Sequence, residues 1–194
     1  MTERTGTRFV ALLDASVLFS IRVTNLALQV ATQGLFQPKW SDAIHDEWAR
    51  SVVAKDQSQD PARINRRRTI MDQSFPDAKI TGFEPLIDGL TLPDPGDRHV
   101  LAAAIAAEVD VVVTFNIRHF PADALTPHGI EAQHPDAFLL QQLTLAPVAF
   151  IEAARSVRDR LNRPPQSPDD FLDALRRAGL PHVTLELSQH KDKF

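Results

Sequence analysis

Asp94-Pro95-Gly96-Asp97-Arg98-His99-Val100-Leu101-Ala102-Ala103-Ala104, with Val111-Val112-Val113-Thr114-Phe115-Asn116 a few residues on, carries a helix signal followed by a strand signal. Asp94 is a good helix N-cap and Pro95 suits a first helical turn, so an alanine-rich helix is expected from there to about Glu108. The three valines then make the clearest strand in the sequence, short and apolar on both faces, as in a buried parallel sheet. Arg8 to Leu13 is a second such run, carrying Phe9 and Val10 and ending at Asp14. Between the two runs the spacing predicts helix from about Ser16 to Gln33, and a second helix from Ser41 through Trp48 to about Val53. A third is expected from the Asp60-Pro61 start signal to near Phe75. Short strands alternating with helices predict an α/β chain with a mainly parallel sheet covered on both faces. Ligands of such sheets sit beyond the carboxyl ends of the strands.

After Ile130 the pattern changes. Pro135 to Leu143, Pro147 to Leu161 and Pro168 to Ala178 each read as a helix introduced by proline, and Arg163 to Pro168 reads as a linker between the last two. The expected organisation is therefore one domain over residues 1–134 and a helical C-terminal extension over 135–194.

Composition narrows the chemistry. The chain has 194 residues, 43% hydrophobic and 24% charged, which suits a globular fold with a core of its own. There is no cysteine, so disulfides, thiol nucleophiles and cysteine-type zinc or iron–sulfur sites are excluded. The seven glycines are never closer than seven residues apart, which rules out the P-loop, the dinucleotide fingerprint and a Gly-x-Ser-x-Gly elbow. The longest apolar run, Val100 to Ala107, is too short to span a membrane, and no secretory signal is read; a cytoplasmic setting is expected. A formal charge of −4 argues against coating nucleic acid with the whole surface. One concentrated basic group remains, Arg63, Arg66, Arg67 and Arg68, readable as a solvated helix face or as a phosphate-contacting rim.

Three carboxylates draw attention. Asp14 follows the first strand and stands at the carboxyl edge of the sheet, Glu47 lies on the second helix, and Asp97 lies in the first turn of the fourth. Thr114 and Asn116 follow the valine strand and share the edge with Asp14. Asp94 and Asp97 also read as an acidic capping box, and His99 and His119 as packing or surface histidines. Trp40 and Trp48, which flank Glu47, read as core or interface residues rather than base-stacking platforms. Carboxylates brought together by a fold have one strong use, because crowded like charges are costly unless a hard cation lies between them. Such a site suits phosphodiester hydrolysis with Mg2+ or Mn2+.

These blocks resemble the PIN-domain ribonucleases, the family of the VapC-type toxins. The resemblance runs through Leu12-Leu13-Asp14-Ala15-Ser16-Val17-Leu18, Asp46-Glu47, the stretch from Asp94 to Ala104, and Val112-Val113-Thr114-Phe115-Asn116-Ile117-Arg118-His119-Phe120-Pro121. It covers about residues 8–134. It implies a three-layer α/β/α sandwich with a parallel central sheet, and a Mg2+- or Mn2+-dependent ribonuclease acting on RNA. Asp14, Glu47 and Asp97 then look like the metal ligands, with Thr114 and Asn116 completing the catalytic set. A fourth acid often follows this threonine in the family, whereas here Asn116 and His119 hold the candidate positions. The resemblance also implies a homodimer and a protein antitoxin. The rival reading is a catalytically weakened relative that binds RNA or a partner; an aspartyl-nucleophile phosphohydrolase is disfavoured because position 16 is serine.

Overall fold

Val10–Leu13 (β1) is buried along its whole length, as a strand must be when helices cover both faces of its sheet. The computed structural model describes residues 9–161 and 164–194; Arg8 of the first apolar run and Arg163 of the predicted linker lie outside them. After β1 come Ala15–Phe19 (α1), Ile21–Thr32 (α2), Gln37–Ser41 (β2), Asp42–Lys55 (α3), Pro61–Ser74 (α4) and Lys79–Ile80 (β3). Arg98–Ala106 (α5), Val111–Val113 (β4), Ala122–Leu125 (α6) and Glu131–Gln133 (β5) follow. Four helices close the chain: Pro135–Leu145 (α7), Pro147–Asp159 (α8), Pro168–Arg177 (α9) and Pro181–Ser188 (α10). Among the described residues five strands pair in parallel in the order β3-β2-β1-β4-β5, forming the middle layer of an α/β/α sandwich.

The expected first helix is two helices. Ser20 ends α1 and caps α2, its backbone extended (φ −82°, ψ 102°) and its hydroxyl accepting from the Val23 N–H at 3.5 Å. The break lets Thr24 reach back to the Val17 and Ser20 carbonyls. It also admits Arg67 from α4, whose Nη2 donates to the Leu18 carbonyl at 2.6 Å and to Thr24 Oγ1 at 2.8 Å. The Arg67 guanidinium lies 4.5 Å from the Trp48 ring centre, and burial draws its pKa down to about 10. Arg67 is thus a packing element. Arg68 pairs with Asp46 at 2.7 Å, which leaves Arg63 and Arg66 as the solvent-facing members of the basic group.

Trp40 and Trp48 are core residues, as the sequence suggested. Both donate their indole N–H inward: Trp48 to His45 Nδ1 at 2.9 Å, and Trp40 to Asp72 Oδ1 at 2.8 Å, while His45 Nε2 bonds the same Asp72 oxygen at 3.1 Å. A donor at Nδ1 requires the lone pair of neutral imidazole, and burial holds the His45 pKa below the usual histidine value, against the pull of Asp72. The unfolded chain therefore takes up a proton near pH 6.5 that the folded chain refuses until lower pH, so stability falls as pH drops below about 6.5. Between pH 7.5 and 5.5 stability is therefore expected to fall, the His45 contribution being lost as the pH drops. Thermal unfolding at both pH values should show a steeper decline in the parent than in His45→Gln. Equal slopes would assign the effect elsewhere.

The C-terminal helices pack on the same core. Phe138 of α7 meets Phe36 edge-on at 4.9 Å, and α8 runs along α2. The linker region leads into a capping box in which Ser167 and Asp170 satisfy each other's backbone N–H. Among the described residues, no helix is long and apolar enough to cross a membrane.

Candidate active site

The strand order reverses beside β1: successive strands step outward through β2 and β3 on one side, and through β4 and β5 on the other. The crevice above that border is where open α/β sheets bind ligands. Leu13 and Val113 are register partners, so Asp14 and Thr114 are the first residues past the carboxyl ends of the two strands. Asp14 N–H donates to the Val113 carbonyl at 3.0 Å and Thr114 N–H to the Gln133 carbonyl at 3.0 Å, which fixes both backbones at the rim.

Asp14 is 2% exposed. Its Oδ2 accepts from the Ser16 hydroxyl at 2.6 Å and from the Thr114 hydroxyl at 2.7 Å. Each hydroxyl in turn accepts a backbone N–H, Ser16 from Phe115 at 3.1 Å and Thr114 from Asn116 at 3.0 Å. Both hydroxyl protons are committed to Asp14, so the 3.2 Å Ser16–Thr114 approach is a contact between acceptors. Asp14 Oδ1 is also buried and has no hydrogen-bond partner among the described residues. A buried carboxylate oxygen left this way is costly unless something positive reaches it.

Asp97 supplies the neighbouring charge. It ends a single 3-10 turn, Pro95–Asp97, stands directly before α5 and makes no capping hydrogen bond; Asp94 alone caps, accepting from the Gly96 N–H at 2.8 Å. The predicted capping box is therefore half right. Freed from that task, Asp97 Oδ2 lies 2.8 Å from His119 Nδ1 and Asp94 Oδ2 lies 4.0 Å from the same nitrogen. Burial, together with the Asp14 and Asp94 carboxylates, holds Asp97 above the usual carboxyl pKa, and His119 pulls the other way. One ligand atom each from Asp94, Asp97 and His119 lies within 4.8 Å of the other two.

Glu47 stands one step away. Its Oε2 is 3.2 Å from Nε2 of His99, two residues beyond Asp97 on α5, and the other ring nitrogen of His99 is buried without a partner. Asn116 is exposed and joins through its backbone N–H.

The sequence matches the family description "PIN domain" over residues 10–118, more than half of the chain. The chain belongs to the PIN domain family. Residues 135–189 match a second description, "VapC50 C-terminal domain". A curated relative from Mycobacterium tuberculosis (strain ATCC 25618 / H37Rv), named "Putative ribonuclease VapC50", is 49% identical over 79 residues. That stretch is 41% of this chain and 47% of the relative, so the chain spans about half of the length of the protein it matches. No solved structure matches.

In this PIN domain the geometry joins Asp14 directly to Thr114, places Asp97 within electrostatic reach of Asp14, ties Glu47 to the same helix through His99, and attaches Asn116 by its backbone alone. Sequence reasoning passed over Ser16, which shares Asp14 with Thr114; a hydroxyl two residues after an aspartate at a helix start was the available signal. It also discounted His99 and His119, each of which contacts one of the acids. Arg98 and Arg118 adjoin the acidic group in sequence, and Arg118 Nε approaches His119 Nε2 at 3.4 Å. A cleft of about 690 Å³ between α2, α4 and the end of α8 carries Arg63, Arg66 and Arg67 and none of the five predicted site residues.

Proposed function

We propose that this PIN domain is a divalent-metal-dependent endoribonuclease, the toxin of a toxin–antitoxin pair, with Asp14, Glu47 and Asp97 as metal ligands and Thr114 and Asn116 as supporting groups. The observation that carries the reading is the buried, partnerless Oδ1 of Asp14 beside the charge of Asp97. The donors fit Mg2+ or Mn2+, since hard divalent cations take carboxylate oxygens and relieve the repulsion between them. Such an ion, when bound, supplies Lewis-acid activation of water and stabilises charge developing on a phosphodiester.

The chain's own groups account for the rest. Ser16 and Thr114 hold Asp14 in one rotamer and leave Oδ1 free to ligate. His99 restrains Glu47. Arg98 and Arg118 offer positive charge next to the acids, where an RNA phosphate would otherwise be repelled; such contacts position a substrate without reading its sequence. The cut is direct attack by water, with no covalent enzyme intermediate.

We also infer a cytoplasmic protein divided at about residue 134, with an RNA substrate, a protein antitoxin and a homodimer formed through helices of the first half. Light scattering showing a monomer at high concentration would refute the dimer. The central test offers single-stranded and structured RNAs in Mn2+, Mg2+ or excess chelator, with Asp97→Asn beside the parent. Cleavage is expected only with metal, and the variant should lose at least about 100-fold, since even residues behind metal ligands cost 10- to 100-fold. Metal-independent cleavage, or an unaffected variant, refutes the assignment. RNA binding without cleavage would favour the rival binding protein, for which the neutral Asn116 is the motive.

A further inference from the structure

Asn116 and His119 are the two residues available where a fourth acid would complete the site, and the geometry separates them. Asn116 is exposed, and its side chain makes no hydrogen bond among the described residues. His119 is turned inward: its Nδ1 faces Asp97 Oδ2 at 2.8 Å and Asp94 Oδ2 at 4.0 Å, while Nε2 points toward Arg118. Asp94 divides its carboxylate in a matching way, with Oδ1 on the Gly96 N–H and Oδ2 toward His119. Beside this trio lies Asp14, 2% exposed and with Oδ1 unpartnered, acting on Asp97 through its charge. Two carboxylates and an imidazole nitrogen therefore lie within reach of one ion, and Asp14, whose charge reaches Asp97, holds a further buried oxygen without a partner among the described residues.

Building on the metal-dependent reading above, we propose that His119 is a nitrogen ligand of the metal centre, with Asp94 and Asp97 as its oxygen partners, and that this makes the site select Mn2+ over Mg2+. An all-oxygen site suits Mg2+, which keeps its water shell and rarely takes imidazole. Nitrogen donors move the preference along the first transition series, to which Mn2+ belongs. For Nδ1 to ligate with the ring neutral, the single ring proton has to sit on Nε2, so the Asp97 hydrogen bond is exchanged for a shared ligand set and Nε2 turns from the Arg118 Nε–H donor to solvent. His119 thus does in neutral form what a fourth carboxylate would do with charge, and the site carries one negative charge fewer before the metal enters.

The test loads the whole protein with Mn2+ alone and records electron spin-echo envelope modulation, which detects a directly bonded 14N nucleus. The parent is expected to show 14N modulation, and His119→Asp to bind Mn2+ without it. Calorimetry should show the parent's preference for Mn2+ over Mg2+ falling by about tenfold in the same variant. His99→Gln keeps the modulation and identifies which histidine supplies it. Modulation that survives in His119→Asp, or that vanishes in His99→Gln, overturns the assignment. Mn2+ bound by the parent without 14N modulation defeats this inference and leaves the metal-dependent nuclease standing. A parent that binds no Mn2+ at millimolar concentration defeats both.

Discussion

Exchanging Asp14 for asparagine is expected to lower metal-dependent RNA cleavage by at least about 100-fold and, in chelator, to yield a chain that melts above the parent. The two effects share one cause. Asparagine has the shape of aspartate and keeps one carbonyl oxygen for the Ser16 and Thr114 hydroxyls that now bond Oδ2. It replaces the buried, partnerless Oδ1 with an amide, and an uncompensated dipole costs less to bury than an uncompensated charge. It also removes one of the carboxylates that hold Asp97 above its usual pKa. A gain of about 1 kcal/mol corresponds to about 2–4 °C in Tm for a chain of this size. Added Mn2+ should then stabilise the parent far more than the variant, because ligand binding stabilises only the state that binds. Differential scanning fluorimetry with and without metal, beside the cleavage assay, reads both halves. A variant that loses cleavage but melts lower in chelator would make Asp14 a structural residue, and one that still cleaves would remove it from the site.

That trade of stability for chemistry explains which parts of the molecule could be read in advance. The strands β1 and β4 were legible because they are buried on both faces and so carry unbroken apolar runs. The strands β2, β3 and β5 were not. Gln37–Ser41 contains Pro38 and Lys39, while Lys79–Ile80 and Glu131–Gln133 are edge strands of two and three residues, too short and too exposed for alternation to register. Helix starts at Ser41 and Asp60 were legible because capping is local chemistry, and the start at Pro168 because proline suits a first helical turn. The break at Ser20 was not, because it answers to Arg67, 47 positions away in sequence. The site divides along the same line. Asp14, Asp97 and Thr114 sit at strand and helix ends, where sequence marks them, and Ser16 lies two residues from the aspartate it bonds, but the roles of His99 and His119 exist only through contacts with acids far away in sequence. Asp94 and Asp97 show the limit of local reasoning: three residues apart they suggest reciprocal caps, and only His119, 22 positions on, turns Asp97 away.

The C-terminal helices reach the same edge, and Gly179 is the point at which they can be tested. Its backbone lies at φ +96°, a conformation that L side chains rarely adopt, and it closes the turn between α9 and α10. A methyl group there would lie 2.7 Å from Cε1 and 3.3 Å from Cζ of Phe115. Phe115 has little room to retreat, because His134 meets its ring edge-on at 4.9 Å from the other chain segment that opens the extension. Its backbone N–H bonds Ser16 Oγ, and it stands between Thr114 and Asn116, so a displaced ring pulls on both hydroxyls that orient Asp14. Gly179→Ala is therefore expected to cost about 2–4 kcal/mol, combining strain at positive φ with overpacking, or about 4–16 °C in Tm. Cleavage measured below the new melting transition should fall by about tenfold with every carboxylate intact, since a small misplacement of ligating groups is enough. The two sources of cost can be separated. Phe115→Ala removes the ring that the methyl group strikes and leaves the backbone strain, so in a double-mutant cycle the pair should be less destabilised than the sum of the single changes by about 1 kcal/mol or more. Strict additivity would mean that the turn and the ring are energetically independent, and the extension would then be a neighbour of the active edge without bracing it.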